Sequence, residues 1–224
     1  MKDQPAAPPS THAGQAVYSP VTLALYDFAV LRVSNSLVWR CPTRRILALY
    51  DTHASGEHLD VGVGTGWYLD SCRFPSRTPR IGLLDLNASS LAAAARRIAR
   101  YRPQAFLADV LRPIAIEAPP FGSIALTYLL HCLPGSIAEK AAAFDHLMPL
   151  LQPGGVVFGA TLLSGGVERS AAARALMRAY NRRGIFSNEA DDLEGLQRAL
   201  RSRFRDVAVE VAGCGALFVA RGTA

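Results

Sequence analysis

Three glycines in the stretch HLDVGVGTG, Gly62, Gly64 and Gly66, follow a short apolar run that carries an acid, Asp60. Glycine at alternating positions raises the backbone entropy lost on folding, which points to something that must come close to the main chain. A glycine-rich turn between a strand and a helix aims backbone N–H groups at a ligand. Dinucleotide sites use G-x-G-x-x-G. Here the spacing is G-x-G-x-G, and Trp67 stands where the third dinucleotide glycine belongs. Its bulk would crowd the close helix–strand packing that glycine permits. Asp60, just before the first glycine, would repel a phosphate and welcome a cation.

The elements around this turn alternate. From residue 57 onward short apolar runs alternate with helical patterns, as in β-α-β architectures. HLDV, RIGLLD, QAFLAD and FGSIALTYLL read as four strands, the last a near-continuous apolar run suited to a central parallel position. ASSLAAAARRIARY reads as a helix. Ser136 to Glu139 forms a capping-box pattern opening the helix AAAFDHLMPLL, which Pro153-Gly154-Gly155 ends before the strand VVFGATLL. The helix ERSAAARALMRAYNRR and another over about 189–203 precede FRDVAVEVAGCGALFVAR, read as an antiparallel hairpin. Residues 20–52 read as helical. The expected fold is therefore α/β, a doubly wound mixed sheet. It would be preceded by a disordered Pro/Ala-rich tail over 1–16 and a helical cap or lid over 17–54, with the core over 55–224.

Two further acids end strands on the same carboxyl edge, where open α/β sheets bind ligands. Asp85, at the end of RIGLLD, can accept from both hydroxyls of a ribose, a contact nicotinamide dinucleotides also use. Asp109, in LADV, can accept from an adenine amine with Val110 beside the ring. A ligand with an adenosine and a cationic end meets all three acids, and S-adenosylmethionine offers an ammonium and a sulfonium.

At these residues the chain resembles the class I S-adenosylmethionine-dependent methyltransferases. The likeness covers roughly residues 55–221 and rests on HLDVGVGTG, IGLLDLN, FLADV, FGSIALTYLLHCLP and LMPLLQPGGVVFGATLL. It implies a Rossmann-like seven-stranded sheet with the last strand antiparallel. It places Asp60 and the backbone of Gly62, Gly64 and Gly66 at the methionine part, Asp85 at the ribose and Asp109 at the adenine. Leu86 and Val110 become apolar walls of the base, and Tyr128, at the end of the fourth strand, joins the cofactor-binding set. One departure is Phe121-Gly122-Ser123, which lacks the acid this family often carries after the phenylalanine. The segment YSPVTLALYDF…WRCPTRR also resembles a subgroup of small bacterial and fungal methyltransferases.

On the acceptor side, His131 is the candidate general base, just beyond the fourth strand. Tyr18 and Tyr26 lie in the helical cap, where an aromatic face attracts a sulfonium; Tyr18 is grouped with the cofactor, Tyr26 with the acceptor. Arg40, in WRCPT, is a candidate partner for the methionine carboxylate and is grouped with Asn181 on the acceptor side. Residues Tyr180 to Phe186 are expected to form part of the acceptor wall. A small organic acceptor is the leading reading. An RNA acceptor, a non-catalytic cofactor-binding protein and a nicotinamide dehydrogenase stand as alternatives.

Composition bounds these readings. The chain has 224 residues, 50% hydrophobic and 19% charged, with a net charge of +6 carried mostly by arginines scattered over several helices. Scattered charge reads as solvated faces rather than a nucleic-acid footprint. No Asn/Asp-Pro-Pro-aromatic stretch follows the fourth strand, which argues against the DNA amino-methylating enzymes. Cys41, Cys72, Cys132 and Cys214 lie far apart and read as buried hydrophobes, with neither a disulfide framework nor a metal site expected. The N-terminus lacks an apolar signal core and Asp27 and Arg32 interrupt the most apolar early stretch, so a cytoplasmic protein without a membrane span is expected. Oligomeric state is not legible.

Overall fold

A computed structural model describes residues 34–223 of the chain. The tail, the first part of the helical cap, and with them Tyr18 and Tyr26, lie outside the described residues.

Seven strands form one sheet in the order β3-β2-β1-β4-β5-β7-β6. They are β1 (Glu57–Val61), β2 (Arg80–Asp85), β3 (Gln104–Leu107), β4 (Phe121–Thr127), β5 (Leu151–Leu162), β6 (Phe204–Ala212) and β7 (Gly215–Thr223). β1 to β5 are parallel, while β7 runs antiparallel to both β5 and β6. The hairpin at the C-terminus and the mixed, doubly wound sheet are as expected. The helices are α1 (Thr43–His53), α2 (Trp67–Ser71), α3 (Ala88–Arg97), α4 (Ile137–Lys140), α5 (Ala142–Leu147), α6 (Ala171–Arg182) and α7 (Leu193–Arg201). Among the described residues no helix is long and apolar enough to cross a membrane.

The twofold alternation of strand side chains sorts the core into two layers. On one face Ile81, Leu83, Ala125 and Phe158 pack with Ile46 and Tyr50 of α1; on the other Leu59, Val61, Ile124 and Leu126 pack with Phe144 and Phe218. α1 thus belongs to the core, entered at Pro42, whose fixed φ suits a helix start.

Local signals set several boundaries. Ser136 and Glu139 form the expected capping box at α4, Asn87 caps α3 by accepting from the amides of Ser89 and Ser90, and Ser170 and Asp192 cap α6 and α7. Several boundaries differ from the sequence reading: β3 ends at Leu107, two residues before Asp109, and the helix read over about 189–203 runs Leu193–Arg201. β4 stops at Thr127 because Tyr128 adopts φ 57°, turning the chain into a 3-10 turn over Leu130–Cys132. β5 begins at Leu151 and takes in Pro153-Gly154-Gly155 as an irregularity, where the register with β4 shifts between Phe121 and Ser123.

The glycines divide their duties. Gly66 has φ 73° and a Cβ there would sit 3.0 Å from Ala94 of α3, so it permits the close packing of turn and helix. Gly62 has φ 73° and abuts Leu129, whereas Gly64 has φ 51° with open space where a side chain would be. Gly66→Ala combines a left-handed backbone with a crowded helix contact. We expect it to lower the unfolding free energy by about 1–3 kcal/mol in chemical denaturation, with Gly64→Ala losing less; equal losses would contradict this division.

Candidate functional site

The chain reverses direction across the sheet between β1 and β4, and the residues just beyond the carboxyl ends of these strands frame a cleft, the place where open α/β sheets hold ligands. Its volume is about 220 Å³. The glycine turn after β1, the ends of β2 and β3, the segment after β4, and Ile185 all contribute to its lining.

The structure brings together Asp60, Gly62, Gly64, Gly66, Asp85, Leu86, Asp109, Val110 and Tyr128 around this one cavity. Asp60 is 4% exposed, and its Oδ1 accepts from the Tyr50 hydroxyl at 2.7 Å. Asp85 accepts from the Asn87 amide at 2.8 Å. Burial is the main cause that pushes its pKa up to about 6; amides of Asn87, Val63 and Gly64 pull it down, and the charge of Asp60 pushes it up. With Asn87 acting as the cap of α3, Asp85 is not needed for that task. Asp109 lies two residues beyond the end of β3, its Oδ1 accepting from the Leu111 amide at 2.9 Å and its Oδ2 lying 3.7 Å from Arg112 Nε.

Three residues expected at the site lie elsewhere. His131 is 3% exposed and does not line the cavity. Its Nδ1 accepts from the Leu162 amide at 3.3 Å, its carbonyl accepts from the Ser187 amide at 2.8 Å, and its ring packs edge-on against Phe186. Burial, with the charge of Lys140, lowers its pKa to about 3, so the ring is neutral. The turn initiated at Tyr128 has rotated this side chain into the protein, where it joins the end of β5, while the main-chain carbonyl of the same residue ties down the segment at Ser187. Arg40 is exposed, with φ 53°, and lies over the β6–β7 turn, against Gly213. Asn181 donates to the Met177 carbonyl at 2.8 Å and to Asn188 Oδ1 at 2.9 Å, and accepts from the Asn188 amide at 3.0 Å. It fastens the segment after α6 rather than lining the cavity. Within Tyr180 to Phe186, Ile185 is the residue that reaches the cavity wall.

The buried ion pair Lys140–Asp191, Nζ to Oδ2 2.5 Å, braces the same segment, with Lys140 also donating to the Ser187 carbonyl. Burial lowers the Lys140 pKa and raises that of Asp191, each restrained by its partner.

Sequence reasoning passed over Tyr50, which reads as one more apolar position on α1, and over Tyr68, Leu133, Pro134 and Cys132, which also line the cavity. Cys41, Cys72 and Cys214 are buried as expected, but Cys132 is exposed, opening into the cavity.

Chemically, the cavity sets a rim of carboxylates against a bare glycine turn and apolar walls. Carboxylates accept hydrogen bonds and attract cations; they do not bind phosphates. The arrangement fits a ligand with a cationic end, a diol and a flat base. The open space at Gly64 leaves the turn free to be approached.

A sequence profile described as a methyltransferase domain matches residues 59–157. The chain is 42% identical over 201 residues to demethylluteothin O-methyltransferase of Streptomyces thioluteus, covering 90% of this chain and 87% of that protein. It is 40% identical over 212 residues to the physcion biosynthesis cluster O-methyltransferase of Aspergillus chevalieri, covering 94% and 95%. Among solved structures, a phosphoethanolamine N-methyltransferase of Haemonchus contortus, bound to phosphomonomethylethanolamine and S-adenosylhomocysteine, shares the fold. The TM-score is 0.69 at 15% identity, over 96% of this chain and 61% of that one.

The Asp85 environment has a measurable consequence. Its folded pKa of about 6 lies above the usual aspartate value of 3.8. The stabilisation it lends is therefore full below about pH 4 and is lost as pH rises through about 6. In ligand-free thermal unfolding, Asp85→Asn should gain on the wild type as pH rises from 4 to 7. A difference independent of pH would contradict the desolvated carboxyl.

Proposed function

From the premise that this chain belongs to the class I S-adenosylmethionine-dependent methyltransferases, we propose that it methylates a hydroxyl oxygen of a small, largely apolar organic acceptor. The observation that carries the acceptor class is the wall beside the carboxylate rim, where Leu129, Leu133, Pro134 and Ile185 offer apolar surface. The O-methyltransferase names of the relatives support oxygen as the accepting atom.

When bound, S-adenosylmethionine supplies a methyl group on a positively charged sulfur, activated for in-line displacement. The chain's own residues bind and orient. Asp60 receives the amino group of the methionine part, beside the main chain of Gly62 to Gly66. Asp85 accepts from the ribose hydroxyls, and binding there favours its ionised form. Asp109 accepts from the adenine amine, while Leu86 and Val110 flank the base. Tyr128 lines the same cavity. Positioning of the acceptor against the methyl is the main contribution such a site can make, because the leaving group is already activated.

His131 is a positioning residue in this reading. A buried imidazole with a pKa of about 3 and its Nδ1 occupied by the Leu162 amide is a poor proton acceptor. Its ring serves by packing edge-on against Phe186, the neighbour of Ile185, and by accepting from the Leu162 amide at the end of β5.

Incubation with S-adenosylmethionine and a panel of phenols, enols, amines and thiols should give a methyl ether, read by mass spectrometry as one added CH₂ on oxygen. Methylation of amines alone would contradict the proposal. Asp85→Ala should weaken S-adenosylmethionine by at least about tenfold, roughly 1.4 kcal/mol, the scale of a lost charge-assisted hydrogen bond. Wild-type affinity should also fall as pH drops below about 6, where Asp85 takes up a proton. Unchanged calorimetric affinity in either test would overturn the ribose assignment.

A further inference from the structure

Strand alternation places His58 and Asp60 of β1 with Ser123, Ala125 and Thr127 of β4 on the sheet face that α1 covers. Beneath Asp60 this face carries a buried chain of polar groups. The Tyr50 hydroxyl has one proton, and its 2.7 Å contact with Asp60 Oδ1 takes it. The Thr127 hydroxyl, 3.1 Å from the same phenol oxygen, completes the group. Burial first, and then the charge of Asp60, hold the Tyr50 pKa well above its usual value, so the phenol keeps that proton.

A second group approaches the same oxygen. His58 is fully buried, and its Nε2 has no hydrogen-bond partner but lies 3.8 Å from Asp60 Oδ1. Its Nδ1 is 2.8 Å from Ser123 Oγ, which also accepts from the Ser55 amide at 2.8 Å. Ser123 has one proton, to be given to His58 Nδ1 or to Ser55 Oγ, 3.1 Å away. Ser55 Oγ is already served by the Glu57 amide and gives its own proton to the Glu57 carbonyl. Donation to Nδ1 leaves the imidazole proton on Nε2, facing the carboxylate. The opposite tautomer would set a bare lone pair against Oδ1 in a water-free interior, the more costly arrangement.

We propose that Tyr50 and His58 are positioning residues for Asp60. Tyr50 holds its Oδ1 by a hydrogen bond and the His58 Nε2 edge faces the same oxygen at 3.8 Å, so that the carboxylate meets the cationic amino group of the cofactor in one fixed orientation. Neither touches the reacting atoms through this role; both act through Asp60. The proposal rests on the assignment of Asp60 to the methionine part made above. It gives α1, which precedes the glycine turn, a direct part in cofactor affinity.

Calorimetry on the full chain with two ligands tests this. S-adenosylhomocysteine carries the amino-acid part, and 5′-methylthioadenosine lacks it. Tyr50→Phe keeps the ring stacked on Tyr68, 5.3 Å between centroids, and edge-on to Phe158. It should weaken S-adenosylhomocysteine by about tenfold, the scale of a hydrogen bond to a charged group. Methylthioadenosine should stay within about twofold of wild type, which also reports an intact pocket. His58→Leu should follow the same pattern with a smaller loss, about threefold, because its contact is longer. In an Asp60→Asn background the Tyr50→Phe effect should shrink below about twofold. Equal weakening of both ligands, or an undiminished effect beside Asp60→Asn, would overturn the proposal. Asp60→Asn binding S-adenosylhomocysteine as wild type does would instead overturn the assignment of Asp60 itself.

Discussion

Carboxylates drawn out of water at one rim are costly to hold in their charged form, and this desolvation is the constraint around which the site is arranged. Asp60 and Asp85 both face one cavity; burial first, and then the charge of Asp60, raises the pKa of Asp85. Protein amides and a phenol supply most of the compensation. Hydrogen-bond donors of this kind leave the rim's negative field only partly balanced. A ligand that brings a positive charge and several hydroxyls completes it, whereas a pyrophosphate would add to the repulsion.

The sheet makes this possible by direction and by alternation. Parallel strands deliver the ends of β1, β2 and β3 to one edge, so acids well separated in sequence become neighbours. Alternation within β1 sends Leu59 and Val61 into one core layer and turns His58 and Asp60 toward α1. On the far side of the cavity, the Lys140–Asp191 pair and the Asn181–Asn188 bonds fix the segment that carries Ile185. Breaking a buried pair of this sort leaves an uncompensated charge, a strong reason for such a segment to remain in place. The cofactor rim and the acceptor wall are thus held by separate polar networks, each buried beneath its own part of the surface.

What could be read from the sequence follows from the range of each interaction. The glycine turn, Asp85 at the end of β2 and the Ser136–Glu139 box are set by neighbours a few residues apart, and each stands in the structure where its spacing put it, whereas Asp109 sits two residues past β3, which ends at Leu107. His131, Arg40 and Asn181 were misplaced because their directions depend on distant contacts. A left-handed Tyr128 rotates His131 inward, the β6–β7 turn receives Arg40, and Asn188 captures Asn181. Tyr50 was legible only as an apolar position, since its hydroxyl finds Asp60 through the packing of α1 on the sheet. Pro153 to Gly155 carry the composition of a break, yet the strand continues through them by shifting register against β4.

The most direct measurement is a crystal structure of the protein soaked with S-adenosylhomocysteine. The account predicts the base between Leu86 and Val110 with its amine toward Asp109, the ribose hydroxyls on Asp85 and the amino group on Asp60. A nucleoside lodged in the reverse sense, or a dinucleotide preferred in competition with its pyrophosphate against the glycine turn, would contradict it.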